Sequence, residues 1–134
     1  HFKNINDTYG HLVGDNVLTE FAKILKSRMG NDALIARWGG EEFTIILSNT
    51  SLNDSAKKAD DLRKYIAENT VTNVAFTISI GLATIQKDDT VLKLLERADT
   101  ALYKAKNNGR NKVCVSDNDS TVIAQSTYLD GFIA

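Results

Sequence analysis

The sequence predicts an α/β domain in which helices flank a mostly antiparallel central sheet. Apolar residues recur at helical spacing in three segments, short β-rich runs lie between those segments, and no proline interrupts either. With 134 residues, of which 43% are apolar, the chain has the size and composition of one domain with its own core. The predicted order is helix, hairpin, helix, strand, helix, strand, with the helices over one face of the sheet.

The first predicted helix covers about residues 14–29 and ends near Gly30. Five apolar residues recur there at helical spacing: Val17, Leu18, Phe21, Ile24 and Leu25. The preceding stretch, HFKNINDTYGHLVGDN, is polar and glycine-rich, so we expect a loop there. Because such a loop normally follows a strand, we expect that strand to lie upstream of His1.

The runs ALIARW and EFTIILS are strand-like, and two glycines separate them. This pattern predicts a hairpin with a two-residue turn at Gly39 and Gly40, both at positive φ, so that Glu41 and Glu42 begin the return strand. Adjacent carboxylates repel each other, and a divalent cation would relieve the repulsion. Taken alone, however, GGEE is more simply interpreted as a solvent-facing hairpin tip whose charges prevent edge-to-edge aggregation.

The second half of the chain predicts a helix, a strand, a helix and a short strand. The helix begins after Ser51 or Asn53 and ends near residue 69, and the strand VAFTISIGLATI follows it. Thr90 caps the third helix, which NNG ends, and NKVCV forms the last strand. Four aromatic residues are interpreted as core: Trp38, Phe43, Phe76 and Tyr103.

Charge and composition exclude several classes of protein. A net charge of −1 gives no general attraction to nucleic acid or to an anionic membrane, and no apolar run is long enough to span one. The single cysteine, Cys114, cannot form an internal disulfide and is interpreted as a buried structural thiol, which fits a cytoplasmic protein.

Two polar clusters could contact a nucleotide. Lys3, Asn6 and Asp15 surround glycines near a predicted helix start, where N–H groups attract phosphate, and amide and carboxylate groups can read a guanine edge. Ordinary helix capping by Asp15 explains part of the pattern equally well. Lys106 and Arg110, around the third helix C-terminus, could reach a triphosphate or could simply complement the helix dipole.

Four motifs occur in register over about residues 1–115: HFKNINDTYGHLVGDNVL, ARWGGEEF, SIGLA and ADTALYKAKNNGRN. Together they resemble the GGDEF domain of diguanylate cyclases, with GGEEF as an accepted form of the signature. The resemblance implies a nucleotide-cyclase fold, similar to a polymerase palm, that condenses two GTP molecules into cyclic di-GMP. It implies Mg²⁺ or Mn²⁺ as cofactor, a homodimer of such domains, and an upstream sensory domain in a parent protein that could be membrane-anchored. Residues 116–134 would be a C-terminal tail of unknown role.

The same resemblance implies roles for individual residues. Glu41 would bind the metal, and Glu42 would assist removal of a proton. The GTP-binding residues it implies are Phe2, Lys3, Asn6, Asp15, Gly39, Gly40, Lys106 and Arg110. The resemblance implies no role for His11, Asp7 or Cys114, and we interpret these three residues as structural.

The sequence departs from the family pattern in two places. A further metal-binding Asp would lie three residues before His1, and the family's first helix and strand are not in the sequence. The family's inhibitory Arg-x-x-Asp positions are Gly30 and Ala33 here, so we expect no product inhibition through that site. The alternative function is a catalytically inactive domain that binds GTP or cyclic di-GMP.

Overall fold

A computed structural model describes residues 1–69 and 72–116, and the backbone of residues 123–132. Its elements are α1 (Phe2–Tyr9), α2 (His11–Met29), β1 (Ala33–Gly39), β2 (Glu42–Leu47), α3 (Leu52–Glu68), β3 (Phe76–Thr84), α4 (Val91–Asn107), β4 (Val113–Val115) and β5 (Ile123–Phe132). Among the described residues, no helix has both the length and the apolar character needed to cross a membrane.

The strands form one sheet in the order β1-β2-β5-β3-β4. All neighbouring pairs are antiparallel except β3 and β4, which are parallel, so the predicted mostly antiparallel sheet is confirmed. The central position belongs to β5, which comes from the stretch predicted as a tail. The rest of that stretch after Ser116, residues 117–122 and 133–134, lies outside the described residues.

Helices α3 and α4 have the expected ends. Ser51 caps α3, since its hydroxyl accepts a hydrogen bond from the Asp54 N–H at 3.1 Å. Thr90 caps α4 in the same way through the Lys93 N–H at 3.2 Å. Helix α4 ends where Gly109 adopts a φ of +100°, a conformation that favours glycine.

The polar stretch before the first predicted helix is not a loop. Residues Phe2–Tyr9 form α1, and α2 begins at His11, three residues earlier than predicted. Only Phe2 and Ile5 of α1 are buried, and both belong to the main core. Packing of these two side chains stabilises a helix too short to be stable alone.

Helices cover both faces of the sheet, which corrects the prediction of one covered face. The main core joins α2 and α3 to the β3 side chains at even positions, such as Ile78 and Ile80. Helix α4 packs on the opposite face, against Gly81 and Ala83. All nine β3 residues are therefore buried, although the sequence alternates apolar with polar or small residues.

The core places Phe21 of α2 between strands β2 and β3. Its ring meets Phe43 edge-on at 5.1 Å and Phe76 at 6.2 Å between centroids. The other two aromatics predicted as core, Trp38 and Tyr103, are 67% and 66% exposed. Trp38 lies on β1, an edge strand, and Tyr103 lies on the outer face of α4, so none of the described elements covers either ring. Cys114 is half-buried rather than buried.

Candidate active site

Glu41 lies in the tight turn between β1 and β2, and Glu42 is the first residue of β2. Gly39 pairs with Glu42, so the turn consists of Gly40 and Glu41. Arg37 holds the turn, because its Nε and Nη2 atoms donate hydrogen bonds to the Gly40 carbonyl at 3.0 and 2.6 Å. Glu41 and Glu42 are both half-buried.

The turn differs from the prediction by one residue. An irregularity at Trp38 shifts the pairing, so Gly39 ends β1 instead of opening the turn. Positive φ occurs at other glycines of the chain and not at Gly39 or Gly40. A Cβ built on either of these two would have no atom of the described residues within 4 Å, so that part of the chain leaves space above the turn for a ligand.

The pairing register brings the hairpin turn and the end of α4 to the same end of the sheet. Glu42 and Ser79 both pair with Tyr128 of β5, so the turn is level with the first half of β3. Strand β4 starts at Val113 opposite Ile80 and runs parallel to β3. The loop that enters β4 from α4 therefore lies at the end of the sheet where the turn projects.

The last turn of α4 and that loop each carry one of the two predicted cations. Lys106 lies in the last turn of α4, and Arg110 follows the glycine that ends the helix. The Arg110 N–H donates to the Ala105 carbonyl at 3.0 Å, which fixes the backbone at the exit from the helix. Both side chains are half-buried.

A cavity of about 690 Å³ lies between helix α2 and the hairpin. Asp15 lies at one side of this cavity, and Arg37 and Phe43 of the hairpin line the other. Asp15 is exposed within the second turn of α2, whose N-cap is Gly10, so it does not cap the helix. The alternative interpretation of Asp15 as a capping residue is therefore wrong.

Helix α1 carries the other predicted nucleotide-binding residues of the first half. Phe2 and Lys3 open the helix instead of lying in a loop, so their N–H groups are among those that have no partner within an α-helix. Lys3 is exposed, and Asn6 is half-buried against α2.

The described residues contain no group of three His, Cys, Asp or Glu side chains that could hold a metal ion. Mg²⁺ often uses only one or two protein carboxylates and takes its other ligands from substrate phosphates and water. Glu41, in a turn with open space above it, fits that smaller share of a coordination shell.

Sequence reasoning missed Arg37, which holds the turn and lines the cavity beside Asp15. Its position directly before Trp38 and the paired glycines was a possible signal. Lys23 and Lys26 of α2 line the same cavity and carried no signal beyond the amphipathic pattern of the helix.

The model of the diguanylate cyclase GGDEF domain matches residues 1–112 of this chain. The chain belongs to the GGDEF-domain family. The chain is 46% identical to diguanylate cyclase A of Treponema denticola over 123 aligned residues. The alignment covers 88% of this chain and 33% of the relative. Diguanylate cyclase DgcM of Escherichia coli is 42% identical over 113 residues, which cover 84% of this chain and 28% of the relative.

Solved GGDEF domains share the fold. The active GGEEF domain of a diguanylate cyclase from Vibrio cholerae superposes with a TM-score of 0.80 at 36% identity, over 89% of this chain and 78% of that one. The GGDEF domain of DgcB from Caulobacter crescentus, in complex with cyclic di-GMP, gives a TM-score of 0.79 at 34% identity, over 86% and 71%. This GGDEF domain spans about a third of the length of the curated relatives named above.

Proposed function

We propose that this chain is the catalytic domain of a diguanylate cyclase, which condenses two GTP molecules into cyclic di-GMP and releases pyrophosphate. The observation that carries the proposal is that the Gly40–Glu41 turn, the last turn of α4 with Lys106 and the loop with Arg110 all lie at the same end of the sheet. The cavity between Asp15 and the hairpin adds a place for a base next to that end.

The base and the phosphates of GTP would contact different elements. Asn6 and Asp15 offer an amide and a carboxylate, which can pair with the carbonyl and N–H groups of guanine. The free N–H groups at the start of α1, together with Lys3, would hold the β- and γ-phosphates. Lys106 in the last turn of α4 and Arg110 in the loop after it add two cations.

Glu41 would hold Mg²⁺ or Mn²⁺ together with phosphate oxygens. Such an ion, when bound, neutralises phosphate charge and makes a nearby hydroxyl more acidic. Gly39 and Gly40 would let the nucleotide approach the backbone, because none of the described residues has an atom within 4 Å of a Cβ built there.

The reaction joins two nucleotides held by two domains. In each half, a 3′-oxygen forms a bond to the α-phosphorus of the other GTP, and the bond from that phosphorus to the pyrophosphate oxygen breaks. Glu42 would accept the proton that the 3′-hydroxyl loses. Because one domain holds one GTP, the partner is a second copy of the domain, and positioning of the two nucleotides supplies much of the rate. A sensory domain upstream in the parent protein remains a prediction.

The test uses the protein that carries this chain, with GTP and Mg²⁺, and follows pyrophosphate release and GTP binding separately. Glu41→Gln should lower turnover by at least about 100-fold, the scale of removing one charge-stabilising group from an active site. Glu96→Gln, an exposed change in the second turn of α4, is the matched control and should leave turnover unchanged. GTP binding without turnover in the unaltered protein would support the inactive, regulatory alternative, and neither binding nor turnover would contradict both.

A further inference from the structure

Helix α2 contains a glycine at a position where glycine is costly. Gly14 lies in the first turn and a half of α2 and is buried. A glycine inside a helix destabilises it by roughly 0.5–1 kcal/mol relative to alanine, so its presence needs a local reason. The reason lies in what packs over it.

The side chain of Asn6 occupies the space that a Cβ at Gly14 would fill. An ideal Cβ there would lie 1.8 Å from Asn6 Oδ1 and 3.0 Å from Asn6 Cγ. The tip of the Phe2 ring, Cζ, would be 3.1 Å away. The first of these distances is far below any van der Waals contact, so a side chain at position 14 would displace the Asn6 amide.

The backbone around this contact is well tied. The Gly10 N–H donates to the Asn6 carbonyl at 2.8 Å, and the Gly14 N–H donates to the Gly10 carbonyl at 3.2 Å. Phe2, which lies over the same spot, is only 7% exposed. The α1–α2 corner therefore has little freedom to move aside, and the Asn6 side chain would yield first.

We infer that Gly14 is a positioning residue for guanine specificity: it forms a notch that seats the carboxamide of Asn6. Asp15, the next residue of α2, faces the cavity that reaches the hairpin. Gly14 thus positions the Asn6 amide, and Asp15 supplies the carboxylate that would contact the same base. This inference rests on the proposed function, because it assigns Asn6 to the base of GTP.

The test measures nucleotide affinity by calorimetry, which needs no turnover. Gly14→Ala should weaken GTP binding by about tenfold or more, the scale of losing a paired contact to a base edge. ATP lacks the guanine edge that Asn6 would read, so Gly14→Ala should leave ATP binding unchanged. Asn16→Ala, an exposed change on the same helix, is the control and should leave both affinities unchanged.

A double-mutant cycle separates positioning from a general structural effect. In the Asn6→Ala background the clash with Oδ1 is absent, so adding Gly14→Ala should cost no further GTP affinity. If Gly14→Ala alone does not fold, recovery of a folded chain in the double variant supports the same notch. Additive losses of GTP affinity, or unchanged GTP affinity and GTP/ATP preference in Gly14→Ala, would overturn the inference alone. Absence of GTP binding by the unaltered protein would overturn the proposed function as well.

Discussion

Gly81 and Gly39 differ in how closely other atoms pack around them. At Gly81, a Cβ would lie 2.1 Å from the Ala98 carbonyl oxygen and 2.3 Å from the Leu102 nitrogen, both backbone atoms of α4. We expect Gly81→Ala to lower the free energy of unfolding by about 1–3 kcal/mol or more, because α4 must move off the sheet. Gly39→Ala, with open space around it, should change it by less than about 0.5 kcal/mol. Urea unfolding of both variants is the measurement, and equal effects would contradict the packing described for α4.

At this scale the sequence predicted some burial correctly and some incorrectly. Phe43 and Phe76 are buried as expected, whereas Trp38 is exposed although it also lies in a strand-like run of residues. An aromatic residue is buried only if another element covers its face, and the sequence does not show that β1 is an edge strand. Similarly, the identity of Gly14 is visible in the sequence, but its contact with Asn6 appears only when α1 packs on α2.

At the scale of elements, an ion pair ties the loop after β3 to helix α4. Asp89 accepts hydrogen bonds from Arg97 Nη1 at 2.6 Å and Nη2 at 2.5 Å, and from the Gln86 N–H at 2.7 Å. Arg97 also donates to the Thr84 carbonyl at the end of β3. The pKa of Asp89 is lowered from 3.8 to about 2. The hydrogen bonds from Arg97 are the largest cause and the one from Gln86 contributes less, whereas burial acts in the opposite direction.

This pKa shift predicts how stability depends on pH. Because the folded-state pKa is below the unfolded value, the contribution of Asp89 is fully present above about pH 4 and is lost as the pH falls towards 2. Asp89→Asn should therefore lower the urea midpoint at pH 7 and reduce the loss of stability between pH 4 and pH 2. Asp88→Asn, which changes the exposed neighbouring carboxylate, should keep the slope of the unaltered chain. Parallel pH profiles for Asp89→Asn and the unaltered chain would refute the assignment.

Periodicity predicted the long helices well and the short one poorly. Helices α2, α3 and α4 have enough turns for an apolar stripe to be recognised. The N-caps of α3 and α4 lie where the side chains predict, whereas α2 has Gly10 as its N-cap and begins three residues before the predicted start. Helix α1 has eight residues and two buried ones, so its pattern cannot be distinguished from a polar loop. The one-residue error in the hairpin turn has another cause, since an irregular pair at Trp38 leaves no mark in the sequence.

At the scale of the whole molecule, the sheet contains a non-local pairing that no local pattern could predict. The sequence predicted a strand upstream of His1 and assigned no strand to residues 116–134. In the structure, β5 pairs antiparallel with both β2 and β3 and fills the centre of the sheet. Strands β1 and β5 are both antiparallel to β2, which lies between them. Strand β5 therefore has the same direction as β1. A strand that connected to β1 through α1 and α2 by a right-handed crossover would also have to run parallel to β1.

Stability of the whole sheet should therefore depend on the backbone of β5. Ser126 is paired on both sides, with Thr44 of β2 and Gly81 of β3. Proline there removes a donor from the ladder and is tolerated only at edges and bulges of sheets, so Ser126→Pro should destabilise the chain by about 3 kcal/mol or more. Ser126→Ala keeps the N–H group and is the matched control. Urea unfolding with tryptophan fluorescence measures both variants. Equal midpoints for the two variants would show that β5 does not hold β2 and β3 together, and the sheet would then need another central strand.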